Sequence, residues 1–163
     1  MRGDSKVIEF LNKALTNELT AINQYWLHYR VLDDWGVTKL AEYERGESIE
    51  EMEHADKLAA RILFLNGLPN FQAIHKLKVG ETVEEILRAD LALEEEAIPL
   101  LKEAAEHAQS VRDFTSGQIF EEILANEEEH VDFLETQLDM IARMGLENYV
   151  QLQSKAAGEG KEG

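Results

Sequence analysis

The chain has 163 residues, 44% of them hydrophobic and none of them cysteine, so it can build one domain, and disulfides, thiolate metal sites and cysteine nucleophiles are excluded. Its formal net charge of −17 would repel nucleic acid from most of the surface. The same charge would attract cations, although an acidic surface also serves solubility alone.

The start of the chain, MRGDSKVIEF, lacks the apolar core of a signal peptide. No run of about 18 apolar residues occurs anywhere, so no membrane span is expected. The absence of cysteine fits a reducing compartment. These features predict a cytoplasmic protein.

Two long helical segments come first in the chain. The first is expected to begin at Asp4 or Ser5, either of which can cap a helix, and to end near Asp34. The second opens at Val37 or Thr38 and carries apolar residues at helical spacing along one face.

A long connection follows the second helix. The helix ends at the pair Asn66-Gly67, and residues 66–81 show no helical stripe. Thr82 caps a third helix, with Glu85 as its capping-box partner, and this helix ends near Ser110. A connection of this length lets the third helix run parallel to the second.

The fourth helix is expected from about Asp113 to Gly145, and residues 146–153 form a short fifth helix. Four long helices with one long crossover, between the second and the third, predict an all-α bundle of the ferritin-like topology instead of a simple up-and-down bundle. We expect one domain over residues 1–154 and a polar, fraying tail over residues 155–163.

Each long helix places a carboxylate on its apolar face, and two helices add a histidine three residues later. Residues three or four apart share one face of a helix, and each of these side chains has that spacing to core positions. The set consists of Glu18, Glu51, His54, Glu94, Glu127 and His130.

The spacing of this set repeats along the chain. Glu18 to Glu51 spans 33 residues, and so does Glu94 to Glu127. His54 follows Glu51 at the same distance as its counterpart follows Glu127, so the two halves are offset by 76 throughout. A two-fold arrangement of ligands inside the bundle follows from this repeat.

Buried carboxylates are costly unless protons or cations neutralise them. Four carboxylates and two neutral imidazoles balance the charge of two divalent cations. Mixed carboxylate and imidazole ligands suit iron or manganese, and zinc is tolerated. The six residues therefore predict a dinuclear metal site.

Other polar residues near this set leave alternatives open. Tyr25 either hydrogen-bonds a ligand, takes part in electron transfer, or is a core tyrosine with a satisfied hydroxyl. Asp90 is either a partner of a ligating histidine or a surface acid. The acids flanking the ligands are expected to point to solvent: Glu50, Glu53, Glu128 and Glu129.

The segments NELTAINQYWLH, ESIEEMEHADKLAARILFLNGLPN and NEEEHVDFLETQL resemble the bacterioferritin family, and the resemblance covers nearly the whole chain. It implies a cage of twenty-four subunits that stores iron as ferric mineral. It also implies that the six residues bind two iron ions, with Glu51 and Glu127 as bridging carboxylates. Fe(II) would be the substrate, O2 or H2O2 the oxidant, and a small ferredoxin the electron donor.

In this family the counterpart of Met52 binds a b-type haem shared by two subunits. Position 52 is rotated about 100° from Glu51, off the ligand face, so a thioether there can meet a second subunit. The competing interpretation is a methionine that packs a dimer interface without haem.

The chain departs from the family at one position. Some members have a histidine at the position of Gly46, within an extra iron site on the inner surface, and glycine has no side chain to coordinate a metal. Glu47 and Glu50 remain near that site. Asn148 and Gln151 resemble residues that line the family's four-fold pores, where their amides would either contact cations or pack.

The sequence as a whole predicts a ferroxidase that stores iron and releases it with the help of haem. The alternatives are a di-iron peroxidase or oxygenase on the same bundle and a haem-binding structural cage subunit. Whether the dinuclear site passes iron onward or keeps it as a cofactor stays open at this stage.

Overall fold

A computed structural model describes residues 1–158, and the end of the predicted tail, residues 159–163, lies outside the described residues. The described part forms five helices and no strand: α1 (Ser5–Asp34), α2 (Thr38–Phe64), α3 (Val83–Ser110), α4 (Phe114–Met144) and α5 (Leu146–Leu152). The predicted all-α class is confirmed, and none of these helices has the length and apolar character of a membrane span.

Side chains cap three of the four long helices at their N-termini. Asp4 accepts the amide of Val7 at 3.0 Å, and Thr82 accepts the amide of Glu85 at 3.1 Å. Asp113 caps α4 in the same way. Each cap satisfies a backbone donor that has no partner within its helix, which fixes where the helix begins.

The end of α2 shows why the chain uses Asn66 followed by glycine. Asn66 adopts a φ of 63°, a left-handed conformation that asparagine tolerates. A Cβ at Gly67 would lie 2.8 Å from a methyl group of Ile8 and 2.9 Å from one of Ile62, so only glycine fits there. The turn therefore closes tightly against the core and releases the chain into the crossover.

Cross-helix contacts set the directions of the helices. Tyr25 contacts Glu94 while His28 contacts Asp90, so α1 and α3 are antiparallel. The backbone of Gly3 meets Leu65 near the start of α1 and the end of α2, so these two are antiparallel as well. The second and third helices consequently run parallel, as the long connection requires.

The crossover lies along α1 and is held by side chains of that helix. Backbone amides of the crossover donate to side-chain acceptors of α1 at 2.8–3.0 Å, and the acceptors lie four or eight residues apart on one face. The pairs are Asn70 to Asn12, His75 to Thr20, Lys78 to Gln24 and Gly80 to His28. An irregular segment thereby satisfies its backbone without forming a helix of its own.

The bundle core is divided into two apolar clusters with a polar layer between them. One cluster gathers around Leu11, Leu58 and Phe120, and the other around Leu40, Leu87 and Tyr149. The layer between them holds wholly or almost wholly buried polar side chains: Glu18, Gln24, His28, Glu44, Glu51, His54, Asp90, Glu94, Glu127 and His130. The apolar ends hold the helices together, so the middle can carry charge.

We expect Asp90→Ala to destabilise the fold by about 2–5 kcal/mol. Its Oδ1 accepts hydrogen bonds from Gln24 Nε2 at 3.0 Å and from His28 Nδ1 at 2.8 Å, and all three side chains are fully buried. Truncation leaves two buried donors unpaired, and this loss outweighs the relief of repulsion with Glu44. Thermal unfolding and amide exchange at Gly80, which donates to His28 Nε2, would measure the effect.

The matched control for this variant is Glu95→Ala, an exposed acid on the same helix. Its effect should stay within about 0.5 kcal/mol, as is usual for surface positions. Equal losses in the two variants would show that the Asp90 network does not stabilise the fold.

Candidate metal centre

The six predicted ligands meet in the polar layer and form two overlapping groups. One group holds Glu18, Glu51, His54 and Glu127, and the other holds Glu51, Glu94, Glu127 and His130. Within each group, one ligand atom per residue lies within 4.8 Å of the others. Glu51 and Glu127 belong to both groups, so the geometry offers two adjacent cation positions with two shared carboxylates.

The separations within each group suit a shared cation better than hydrogen bonds. His54 Nδ1 lies 3.5–3.8 Å from oxygens of Glu18, Glu51 and Glu127. His130 Nδ1 lies 3.3–3.6 Å from oxygens of Glu51, Glu94 and Glu127. Strong N–H···O bonds are shorter, whereas two atoms bound to one ion at about 2.0–2.2 Å are separated by roughly 3.0–3.6 Å.

Several atoms at the centre are buried without a hydrogen-bond partner, which tests whether the residues fit a metal. These atoms are Glu18 Oε2, Glu51 Oε1, Glu127 Oε1 and His54 Nδ1. Unpaired buried polar atoms are rare in native proteins because their desolvation is not compensated. Carboxylate and imidazole donors without any thiolate suit iron, manganese or zinc, so the residues fit two divalent cations.

Protons occupy the centre when no cation does. Burial alone would lower the pKa of His54, but the facing carboxylates of Glu127 and Glu51 raise it to about 9. Burial would raise the pKa of Glu127, yet its hydrogen bonds with His130 and His54 lower it to about 2. The metal-free centre therefore combines protonated imidazoles with ionised carboxylates.

Cation affinity at this centre should rise with pH up to about 9. A cation can bind His54 Nδ1 only after its proton leaves, and the raised pKa means that this proton is held throughout the neutral range. Below this pKa, each unit of lower pH should weaken binding at His54 by about tenfold. Isothermal titration with Co(II) between pH 7 and 9 measures this slope, and a flat profile would contradict it.

Tyr25 lies beside one ligand. Its hydroxyl donates to Glu94 Oε1 at 2.6 Å, and the side chain is fully buried. Burial, together with the negative charge of Asp90, raises the pKa of Tyr25 well above its usual value. The phenol thus stays protonated and fixes one oxygen of Glu94, leaving the other oxygen free for a cation.

Two expectations about neighbouring acids need correction. Asp90 is a fully buried partner of a histidine, but that histidine is His28 and not one of the predicted ligands. Glu50 does not point to solvent, because its Oε2 lies 3.2 Å from His130 Nε2. The other flanking acids are exposed as expected: Glu53, Glu128 and Glu129.

The two histidines have different partners on their outer nitrogens. His130 Nε2 faces the carboxylates of Glu47 and Glu50. His54 Nε2 faces the side-chain amide of Asn126 at 2.8 Å. Gly46 is exposed and has open space where a side chain would extend, so it contributes nothing to either histidine.

Sequence analysis did not single out Glu44, His28 or Asn126. Glu44 is fully buried and both of its carboxylate oxygens lack a hydrogen-bond partner. Burial and the nearby charge of Asp90 raise its pKa well above the usual value. Helical spacing held the signal, because Glu44 lies seven residues before Glu51 and His28 lies three after Tyr25.

Met52 lies on another face of α2, away from the dinuclear centre. Its side chain is 56% exposed and borders an open groove of about 560 Å³. Trp26, Leu27 and Ile49 line the same groove, and all three are exposed. The structure thus places an unpaired thioether in an apolar surface between α1 and α2.

The two predicted pore residues lie on the short fifth helix. Asn148 and Gln151 are exposed, and the Asn148 amide donates to the carbonyl of Met144 at 2.8 Å. Their contact with passing cations stays a prediction.

Comparison with known proteins gives consistent matches. A model of the ferritin-like domain matches residues 8–144. A bacterioferritin from Brucella melitensis is 55% identical over 159 residues, which cover 98% of this chain and 99% of that protein. A bacterioferritin from Rhodobacter capsulatus is 52% identical over 154 residues, covering 94% of this chain and 96% of that protein.

A solved structure agrees with these matches. The bacterioferritin structure from Rhodobacter capsulatus, described with a metal-free dinuclear site and haem iron in a crystallographic special position, superposes with a TM-score of 0.96. It is 50% identical, and the match covers 98% of this chain and all of that chain.

Proposed function

This chain belongs to the bacterioferritin family, which stores iron, and from that premise we propose that its buried centre oxidises Fe(II) to Fe(III) before storage. The observation that carries the proposal is the pair of overlapping ligand groups with unpaired, buried donor atoms. Such a site binds two divalent cations side by side. It is suited to a reaction that withdraws one electron from each of them.

Glu51 and Glu127 hold the two iron ions at a fixed separation. Glu18 and His54 complete one position, and Glu94 and His130 complete the other. The protons on the histidines leave as Fe(II) enters, and the positive charge of the two ions replaces them. Because four carboxylates and two neutral imidazoles balance two Fe(II), the loaded centre carries no net charge from these groups.

Electron transfer at this site balances with either oxidant. Two Fe(II) and H2O2 give two Fe(III) and two water molecules after taking up two protons. Two Fe(II) and O2 give two Fe(III) and one H2O2, again with two protons consumed. In both cases a pair of ions supplies two electrons together, which avoids one-electron products of oxygen.

Tyr25 and the partners of the histidines orient this centre. The Tyr25 hydroxyl fixes one oxygen of Glu94, and the partners of Nε2 orient both rings so that Nδ1 faces inward. Apolar clusters on both sides of the layer keep bulk water away from the reacting ions. These features act in advance of the reaction, so little reorganisation is needed.

A haem group fits the groove at Met52. The exposed thioether offers an axial ligand, and Trp26 and Ile49 offer an apolar surface for a porphyrin. A second copy of the chain across a two-fold axis would supply the other methionine and cover the groove. Haem supplies a one-electron redox centre when bound, and reductive release of stored iron is its proposed use.

The proposal is tested by adding Fe(II) under air to the purified protein and recording ferric absorbance together with the size of the particle. We expect rapid oxidation and iron retained in a large, discrete assembly. Oxidation no faster than in buffer would refute the ferroxidase, and a monomer that retains no iron would refute storage in a cage.

A further inference from the structure

The internal repeat of 76 residues extends beyond the six ligands. Glu50 lies directly before Glu51, and Asn126 lies directly before Glu127. Glu50 contacts His130 Nε2 at 3.2 Å, and Asn126 contacts His54 Nε2 at 2.8 Å. The two residues thus occupy equivalent positions, each against the outer nitrogen of the histidine on the other helix.

Charge breaks the symmetry at these equivalent positions. Glu50 brings a carboxylate to His130, whereas Asn126 brings a neutral amide to His54. The same offset relates Glu47, which also faces His130, to the buried apolar Ile123. Two additional carboxylates therefore surround His130, and none surrounds the outer nitrogen of His54.

A cation experiences this difference directly. We define the His130 half-site as Glu94 and His130 with the shared Glu51 and Glu127, and the His54 half-site as Glu18 and His54 with the same shared pair. Both half-sites have the same inner ligands in number and type. The extra carboxylates at His130 make the potential at its half-site more negative, which favours the first divalent cation there.

Hydrogen bonding adds a second difference between the half-sites. Carboxylates can only accept, so Glu47 and Glu50 keep the ring proton of His130 on Nε2 and leave Nδ1 free for a cation. The amide of Asn126 directs its Nδ2 at His54 Nε2, and a donor there places the ring proton on Nδ1, the atom that faces the ligand group. Loading this half-site requires the amide to turn and present its oxygen.

We infer that the two half-sites load in order, with the His130 half-site binding the first cation, and that Asn126 sets the weaker affinity of the second. Asn126 acts as a positioning residue through His54 and contacts no iron itself. This inference rests on the proposed function, since it concerns how the same centre acquires its two ions.

The test is a titration of the assembled protein with Co(II), followed by calorimetry and by the visible absorption of bound Co(II). The wild type should bind two Co(II) ions in two resolved steps. Glu94→Ala should remove the tighter step, and Glu18→Ala should remove the weaker one. Asn126→Asp, which restores a carboxylate at the equivalent position, should tighten the second step about tenfold or more and leave the first in place.

Controls separate this effect from general electrostatics. Glu50→Gln should weaken the first step about tenfold, whereas Glu128→Gln removes the same charge from the exposed face of α4 and should alter neither step. Gln118→Glu adds an exposed charge to α4 and should also leave the second step unchanged.

Two Co(II) steps of equal affinity would overturn the inference while leaving the ferroxidase intact. Loss of the tighter step in Glu18→Ala, or an unchanged second step in Asn126→Asp, would overturn it as well. Failure of the wild type to bind Co(II) at all would overturn the dinuclear centre itself, and this inference with it.

Discussion

The double variant Glu18→Ala and Glu127→Ala is expected to lower the initial rate of Fe(II) oxidation by about 10³-fold or more, to the rate of Fe(II) in buffer. Glu127 belongs to both ligand groups, and Glu18 belongs to the His54 half-site alone. Their removal leaves the His54 half-site with Glu51 and His54 only. Two ions can then no longer be held together, so the two-electron reaction loses its geometric basis.

The measurement is ferric absorbance after Fe(II) is added under air, at matched protein concentration. A matched control replaces two exposed acids on the same helices, Glu9→Ala and Glu128→Ala. The control should oxidise iron at nearly the wild-type rate. Equal rates in the wild type and the Glu18→Ala, Glu127→Ala variant would place the reaction elsewhere in the protein.

Loss of fold is not expected to explain this result. The Glu18 and Glu127 side chains are almost completely buried, and each has an oxygen without a hydrogen-bond partner. Removing unpaired buried carboxylates relieves repulsion and desolvation, which offsets much of the cost of the cavities. Circular dichroism and the size of the assembly should therefore remain close to those of the wild type.

The ligand set was predictable because two independent regularities coincide in it. Helical spacing places Glu18 and Glu51 on the faces that also carry Leu15 and Leu58, and the repeat of 76 residues reproduces the pattern in the second half. Either regularity alone is weak, since single acids occur on apolar faces for other reasons. The bundle class followed from four long helices and one long connection, which few topologies accommodate.

The surroundings of the ligands were less predictable because they depend on contacts between helices. Asp90 was assigned to a ligating histidine or to the surface, but the rotation of α1 against α3 brings His28 to it instead. Glu50 lies about 100° from Glu51 around the helix, so its orientation could not be decided without knowing where α4 lies. A long side chain reaches His130 from that position.

The crossover shows a similar limit. Residues 66–81 have no periodicity, so the sequence predicts only their length. Their path is fixed by Asn12, Gln24 and His28, which are polar residues of α1 that accept backbone amides. Such side chains cannot be distinguished in sequence from ordinary solvated positions. Gln24 and His28 carry a further requirement, because they also donate to Asp90.

Met52→Leu is expected to abolish haem binding, whereas Met140→Leu should retain it. Leucine preserves the volume and apolar character of position 52 but cannot coordinate iron. Met140 is a partly buried methionine of α4 that packs in an apolar cluster, so it controls for the loss of a thioether. The measurement is the haem content per subunit after the purified protein is supplied with haem, for which the wild type should approach one haem per two subunits.

The alternative for Met52 is that it packs against a second subunit without binding haem, and a third variant separates the two. Met52→His keeps a ligand that can coordinate haem iron, so haem should still bind, with the spectrum of a bis-histidine centre and a lower reduction potential. A packing role would make histidine the more disruptive change, because it introduces a polar ring into the apolar surface beside Trp26 and Ile49. Haem bound at the wild-type ratio by Met52→Leu would assign the axial ligand to another residue, whereas spectral change in Met52→His alone identifies Met52 by its chemistry.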